Sequence, residues 1–144
     1  MQRLFEKKLF DWKKSGMKKP LMVVGARQIG KTYIIEKFAK ENFEQYMYFN
    51  LEKNEDIRNI FENSIDDEKI ISEIELCLGK KIDIEKTILF FDEVQVSENF
   101  IVSLKYFNES EKPYKIICAG SLLGVKINRF KSSFPVGKIR MEYM

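Results

Sequence analysis

The stretch GARQIGKT, from Gly25 to Thr32, decides the fold class of this chain of 144 residues. It places a second glycine after four intervening residues and follows it directly with Lys31 and Thr32, which is the spacing of a P-loop. Glycines let backbone N–H groups turn toward phosphate oxygens without a side-chain clash, and a helix that starts there adds partial positive charge. The stretch therefore predicts a phosphate-binding loop between a strand and a helix.

This loop supplies the candidate nucleotide-binding residues. We expect Lys31 to reach the β- and γ-phosphates of ATP, and Thr32 to offer its hydroxyl oxygen to a bridging Mg²⁺. Arg27 either touches phosphate or is an exposed loop charge. An accidental glycine turn is disfavoured, because the apolar strand pattern LMVVG precedes the loop and a helical pattern follows it. The predicted nucleotide-binding residues are Gly25, Ala26, Arg27, Gln28, Ile29, Gly30, Lys31, Thr32 and Tyr33.

Two adjacent carboxylates form the second candidate element. In ILFFDE, four apolar residues typical of a buried strand are followed by Asp92 and Glu93, beside the place where the phosphates would lie. We expect Asp92 to contact Mg²⁺ through water and Glu93 to polarise the attacking water as a general base. The alternative is a strand that merely ends in a solvated acidic pair, and the upstream P-loop disfavours it.

Apolar patterns along the chain predict strands that alternate with helices. Such alternation predicts an α/β fold, with a mostly parallel sheet, helices on both faces and a nucleotide core over about residues 20–144 of a single domain. Helices are predicted over residues 2–15 and 31–40, over two segments of 55–78 that are split near 64–66, and around 100–107. Strands are predicted over residues 21–25, 45–52 (an edge), 87–93, 114–121 and 136–143.

The distance along the chain between Lys31 and Asp92 indicates the strand order. A whole strand and two helices separate them, which leaves room for the strand of residues 114–120 between their two strands. Ser121, at the tip of that strand, would then point into the nucleotide gap and sense the γ-phosphate. A serine in an ordinary strand-to-loop turn fits the same spacing equally well.

Composition restricts the classes of function. The chain is 44% hydrophobic and 33% charged with a net charge of +3, so it is globular and its charge balance does not indicate a polyanion partner. It has no histidine, which excludes histidine zinc sites and histidine acid–base chemistry. Cys77 and Cys118 are predicted to be buried, reduced thiols, which favours the cytoplasm. No stretch has the length of a bilayer span or the pattern of a secretory signal.

Basic residues cluster near both ends of the sequence. We interpret the clusters as a solvated helix face and a phosphate-side loop, because no exposed aromatic pattern is interleaved with them. A nucleic-acid partner is the alternative. The clusters comprise Lys7, Lys8, Lys13, Lys14, Lys18 and Lys19, and then Lys126, Arg129, Lys131, Lys138 and Arg140.

The segments GARQIGKT, FNLE, ILFFDEVQ and ICAGS together resemble prokaryotic AAA-type ATPases in which a P-loop domain precedes a C-terminal domain of unknown function. The resemblance covers nearly the whole chain, and DEVQ followed by AGSLLG is its more specific part. It implies the strand order 5-1-4-3-2 and ATP hydrolysis by Asp92 and Glu93, with Gln95 as a supporting or helix-start residue. Similar proteins continue past the fifth strand, so it also implies a chain truncated after the core, without the C-terminal domain.

The predicted function is therefore Mg²⁺-dependent ATP hydrolysis that is coupled to a conformational change. Lys31, Glu93 and Ser121 are the predicted catalytic residues, and Thr32 and Asp92 the metal ligands. A small-molecule kinase would pass the γ-phosphate to a hydroxyl acceptor instead, and a nucleotide-binding remnant would have no turnover. The carboxylate pair favours water activation. Besides ATP, a homo-oligomer or a protein partner stays open.

Overall fold

The computed structural model describes residues 2–25, 30–121 and 137–143, and five strands and five α-helices lie in these ranges. The strands are β1 (Leu21–Gly25), β2 (Gln45–Asn50), β3 (Thr87–Asp92), β4 (Ile116–Ser121) and β5 (Arg140–Tyr143). The helices are α1 (Gln2–Lys14), α2 (Lys31–Asn42), α3 (Glu55–Asn63), α4 (Asp67–Leu78) and α5 (Glu98–Glu109).

The five strands form one sheet in the order β2-β3-β4-β1-β5, and every pair is parallel. This is the predicted order 5-1-4-3-2, counted from the other edge, so the α/β prediction and the position of β2 at an edge are confirmed. Gly25 pairs with Ser121 across β1 and β4, and Asn50 pairs with Asp92 across β2 and β3. The carboxyl ends of these strands therefore share one edge of the sheet.

Helices cover both faces of the sheet, because alternate strand residues point to opposite sides. On one face α1 and α2 pack against Leu21 and Val23 of β1, and on the other face α3, α4 and α5 pack near Met22 and Val24. Among the helices of the described ranges, none is long and apolar enough to cross a membrane. The buried helix residues of the first face are Phe5, Leu9, Trp12, Ile34, Ile35, Phe38 and Ala39.

Three polar side chains fix where the helices of the second face begin. The side chains of Asn54, Asp66 and Ser97 accept hydrogen bonds from backbone N–H groups three residues later, at 3.0–3.1 Å. Such caps satisfy N–H groups that the first helical turn leaves without a partner. Gly79, in a left-handed conformation with a φ of 71°, ends α4. The predicted split of residues 55–78 into two helices is therefore confirmed.

Four strands are shorter than the sequence pattern predicts, and β3 is one of them because it ends at Asp92 and not at Glu93. β2 ends at Asn50 because its Oδ1 accepts the N–H groups of Glu52 and Lys53, which turns the chain. β4 begins at Ile116, and β5 begins at Arg140. The apolar pattern marks buried positions, whereas the end of β2 depends on the hydrogen bonds of the Asn50 side chain.

The two cysteines differ in their surroundings. Cys118 is buried in β4, and this burial raises the pKa of its thiol. Cys77 is exposed, so the prediction of two buried thiols is wrong for this residue. The buried part of α4 ends at Ile74, and Leu76 in the last turn is 75% exposed. The helix thus extends past the core that its earlier turns cover.

Candidate functional site

The P-loop prediction falls at the carboxyl edge of the sheet, where β1 ends and α2 begins. Gly30 has a φ of 111°, which a residue with a side chain rarely adopts, and its carbonyl accepts the N–H of Ile34 at 2.9 Å. The glycine thus starts the first turn of α2, and Lys31 and Thr32 follow in that turn. The predicted binding residues Ala26, Arg27, Gln28 and Ile29 lie outside the described residues.

Asp92 is the centre of the site. Its Oδ2 accepts hydrogen bonds from Thr32 Oγ1 at 3.2 Å and from the hydroxyl of Tyr48 at 2.9 Å. Its Oδ1 lies 3.8 Å from Nζ of Lys31 and accepts the N–H of Glu93 at 2.9 Å. A buried charge is costly unless it is paired and hydrogen-bonded, and Asp92 meets both conditions. The structure thus brings together Lys31, Thr32 and Asp92, which the sequence patterns singled out separately.

Tyr48 is a site residue that the sequence analysis missed. It lies on β2 opposite Phe90, two residues before the position that pairs with Asp92, and its ring also contacts that of Phe90. Burial, and next the hydrogen bond to Asp92, raise the pKa of Tyr48 from 10.0 to about 12. The phenol therefore stays a hydrogen-bond donor at pH values at which a free tyrosine already ionises. Only the register between β2 and β3 places it here.

Glu93 follows β3 in an uncommon backbone conformation. Its φ of 55° and ψ of 42° lie in the left-handed region, which residues with a side chain seldom occupy. A short 3-10 helix, Val94–Val96, comes directly after it, and Nε2 of Gln95 donates a hydrogen bond to Glu93 Oε2 at 2.9 Å. Glu93 is partly exposed, whereas Asp92 is buried, so the two adjacent carboxylates have different surroundings.

Ser121 ends β4 beside the last residue of β1, Gly25. Its side chain is buried, and its hydroxyl oxygen has no hydrogen-bond partner in the described part of the chain. Its backbone N–H donates to Oε1 of Gln95 at 3.3 Å. The tip of β4 therefore lies between the strand that leads into the P-loop and the segment that follows Asp92.

Tyr33 is the exposed member of the predicted nucleotide-binding set. Its side chain is 64% exposed, although it follows Lys31 and Thr32 in the first turn of α2. Successive helix residues are turned by about 100° around the axis, so Tyr33 does not share the orientation of Lys31. The structure does not bring Tyr33 into the group of side chains around Asp92 that the described contacts define.

Several residues of the basic clusters face carboxylates. Lys8 lies 3.9 Å and Arg140 3.3 Å from Glu142, and Lys138 lies 3.7 Å from Glu109. A basic side chain beside a carboxylate is partly neutralised, which favours the solvated-face interpretation over a nucleic-acid surface. The cluster residues Lys126, Arg129 and Lys131 lie outside the described residues.

Comparisons with known proteins agree with this geometry. A family model described as an AAA domain matches residues 17–142. The structure of the Walker-type ATPase PABY2304 of Pyrococcus abyssi is similar, with a TM-score of 0.57 and 17% identity. This match covers 96% of the chain and 51% of that protein, so the chain spans about half of its length. No curated protein matches the chain. Because the family model spans most of its length, the chain belongs to the AAA domain family, whose members are P-loop ATPases.

Proposed function

We propose that this domain binds ATP together with Mg²⁺ and hydrolyses the bond to the γ-phosphate. The observation that carries the proposal is the group around Asp92, in which the hydroxyl of Thr32, the ammonium of Lys31 and a carboxylate meet at the start of α2. P-loop proteins hold a nucleoside triphosphate with a helix start, a lysine and a hydroxyl–carboxylate pair. Membership of the AAA domain family supports the same assignment.

The oxygens of Thr32 and Asp92 fit a hydrated Mg²⁺. Oγ1 of Thr32 and Oδ2 of Asp92 are 3.2 Å apart, and hydroxyl and carboxylate oxygens are ligands that this ion accepts. We assign the direct contact to Thr32 and a contact through water to Asp92. When bound, the ion neutralises charge on the β- and γ-phosphate oxygens and orients them.

Lys31 is suited to bind phosphate oxygens. Its ammonium is buried, and a buried cation requires anionic or polar partners. Its Nζ lies 3.8 Å from Oδ1 of Asp92. This is longer than the donor–acceptor distance of about 2.7–2.9 Å in a charge-assisted hydrogen bond. Asp92 therefore compensates the charge of Lys31 while the N–H groups of the ammonium stay able to donate to phosphate.

Glu93 is the carboxylate that we assign to the attacking water. Asp92 is buried among Lys31, Thr32 and Tyr48. Glu93 is partly exposed at the same edge of the sheet, and we therefore assign it as the general base. The hydrogen bond from Gln95 holds one oxygen of the Glu93 side chain. Accepting the proton from water as the oxygen attacks the γ-phosphorus is the role that a partly exposed carboxylate can perform at neutral pH.

Ser121 is the residue that we assign to detect the γ-phosphate. A buried hydroxyl is unfavourable without a hydrogen-bond partner, and the Ser121 hydroxyl has none in the described ranges. A phosphate oxygen at the carboxyl edge would accept its hydrogen. Coupling to a conformational change, a homo-oligomer or protein partner and a cytoplasmic location stay predictions.

Phosphate release and Mg-ATP binding, measured on the parent chain and on Glu93→Gln, test the proposal. We expect Glu93→Gln to bind Mg-ATP like the parent but to release phosphate at least about a hundredfold more slowly, as expected for a lost general base. Glu36→Gln is the matched control, because Glu36 lies on α2 and pairs with Lys40. Equal hydrolysis by parent and Glu93→Gln contradicts the assignment. Transfer of phosphate to an organic hydroxyl in place of its release supports a kinase instead.

A further inference from the structure

The amide of Gln95 joins two segments of the site. Its Nε2 donates to Oε2 of Glu93 at 2.9 Å, and its Oε1 accepts the backbone N–H of Ser121 at 3.3 Å. A primary amide is planar, with a donor on one side and an acceptor on the other. A shift of Ser121 therefore turns the amide and changes the position of its hydrogen bond to Glu93, and the reverse also holds. We call this pair of hydrogen bonds the Gln95 bridge, and it connects the tip of β4 to the residue after β3.

The surroundings of Gln95 keep its side chain in this position. The residue is 7% exposed, and a Cβ added to Gly120 would lie 3.0 Å from Oε1 of Gln95 and 3.4 Å from Cγ2 of Val94. Gly120 does not have a positive φ, so its backbone conformation does not require glycine. The amide of Gln95 fills the space beside β4 that a side chain at position 120 would need.

Glu93 is held through both its backbone and its side chain. Its left-handed conformation, with a φ of 55°, is unfavourable for a residue with a Cβ and persists only where neighbours fix it. The carboxylate of Asp92 accepts its N–H at 2.9 Å, and Gln95 binds its carboxylate. The Gln95 bridge therefore contributes to the orientation of the Glu93 side chain.

We propose that Gln95 is a positioning residue that makes the orientation of Glu93 depend on what contacts Ser121, a proposal that rests on the function given above. The hydroxyl of Ser121 is buried without a partner in the described ranges, so a γ-phosphate oxygen that accepts its hydrogen displaces the tip of β4. The N–H of Ser121 passes this displacement to Oε1 of Gln95, and Nε2 passes it to Glu93. The bridge thus aligns the general base when a triphosphate is bound.

The test compares steady-state hydrolysis and its pH dependence in the parent, Gln95→Ala, Gln95→Glu and Gln45→Ala. Gln45 bonds Thr87 at the opposite end of β2 and is the matched control. We expect Gln95→Ala to lower kcat by about tenfold with KM within about twofold of the parent, since misalignment acts on the chemical step. Gln95→Glu keeps the size of the side chain but adds a carboxylate beside Glu93, so the acid limb of its pH profile moves to higher pH.

A double-mutant cycle with Ser121→Ala measures the coupling directly. When Gln95→Ala is added to the Ser121→Ala variant, we expect kcat to fall by less than about threefold, because both changes interrupt one connection. If the two substitutions lower kcat by independent factors that multiply, the bridge is overturned. A Gln95→Ala variant with the kcat and pH profile of Gln45→Ala overturns it too. In both cases hydrolysis by the parent, and with it the proposed function, still stands. A parent that binds Mg-ATP without releasing phosphate overturns the proposed function and the bridge together. If Gln95→Ala does not fold, Gln95→Glu and Gly120→Ala give the same decision. The methyl group of Gly120→Ala displaces the Gln95 amide from the side of β4.

Discussion

Lys31 and Asp92 form a buried ion pair, with side-chain exposures of 4% and 7% and a distance of 3.8 Å between Nζ and Oδ1. The two residues come from α2 and β3, and β3 is not a neighbour of β1, the strand that leads into the P-loop. The pair therefore connects the predicted phosphate-binding segment to the predicted metal-binding carboxylate. Each partner compensates the charge of the other where water does not reach.

Lys31→Ala is expected to abolish ATP binding in the micromolar range. The variant loses the cation that would bind phosphate and leaves the carboxylate of Asp92 buried without its positive partner. Equilibrium binding of a fluorescent ATP analogue measures the effect. Lys37→Ala, an exposed lysine on the same helix, is the control that should bind like the parent. Unchanged binding by Lys31→Ala would contradict the assigned role.

Tyr48→Phe is expected to lower the free energy of unfolding by about 1 kcal/mol at neutral pH, because Asp92 loses one of its donors while the ring contact with Phe90 remains. Chemical denaturation measures this difference. Tyr106→Phe serves as the control, since the ring of Tyr106 contacts Lys105 and no described hydrogen bond involves its hydroxyl.

The same pair of proteins should show a difference that depends on pH. The pKa of Tyr48 is 10.0 when unperturbed and about 12 in the folded chain, so its folded form stays protonated where the unfolded form ionises. Its contribution to stability is complete below pH 10.0 and is lost as the pH rises toward about 12. The deficit of Tyr48→Phe relative to the parent should therefore shrink above pH 10. A deficit that is constant from pH 7 to 11 would exclude this ionisation as its cause.

Ser121→Ala is expected to separate stability from hydrolysis. Removing a buried hydroxyl that has no partner in the described ranges should leave the free energy of unfolding unchanged or raise it by up to about 1 kcal/mol. Phosphate release should fall about tenfold if the hydroxyl contacts the γ-phosphate. Ser103→Ala is the opposite control, because Ser103 Oγ donates to the carbonyl of Phe100 at 2.6 Å and its loss should destabilise the fold. A large loss of stability in Ser121→Ala would refute the assignment.

The two cysteines should react with a thiol reagent at very different rates. Cys77 is exposed, whereas Cys118 is fully buried and burial raises the pKa of its thiol, which lowers the reactive thiolate fraction. Mass spectrometry after brief labelling should find one modified cysteine in the native chain and two in denaturant. In the variant Cys77→Ser only Cys118 can react, so its labelling rate measures the opening of β4. Equal labelling of both thiols in the native state would show that β4 is accessible.

The P-loop and the strand that ends in a carboxylate are local patterns with few structural solutions, so the sequence predicts the meeting of Lys31, Thr32 and Asp92 and the place of β4 between β1 and β3. The rest of the strand order comes from the resemblance to AAA-type ATPases. It does not predict Tyr48, since the register of β2 against β3 decides which hydroxyl reaches Asp92. The left-handed conformation of Glu93 is likewise not predicted, since the side chains of Asp92 and Gln95 that hold Glu93 carry no recognisable sequence pattern for it.

The position of Cys77 depends on the packing of α4, which periodicity does not define. Its spacing from Ile70 would place it on the buried stripe of an ideal helix, but the core ends before the last turn does. Periodicity specifies a helix face and not how far along the helix that face stays covered.

The insertion of β4 between β1 and β3 has a consequence for synthesis on the ribosome. Strands β2 and β3 can pair as soon as both have emerged, but β1 waits for a neighbour that is translated about a hundred residues after it. Until then, the backbone N–H and C=O groups along the edges of β1 have no strand partner and are open to wrong pairings. The connection of β1 to β3 through β4 therefore forms only after residue 121 has left the exit tunnel.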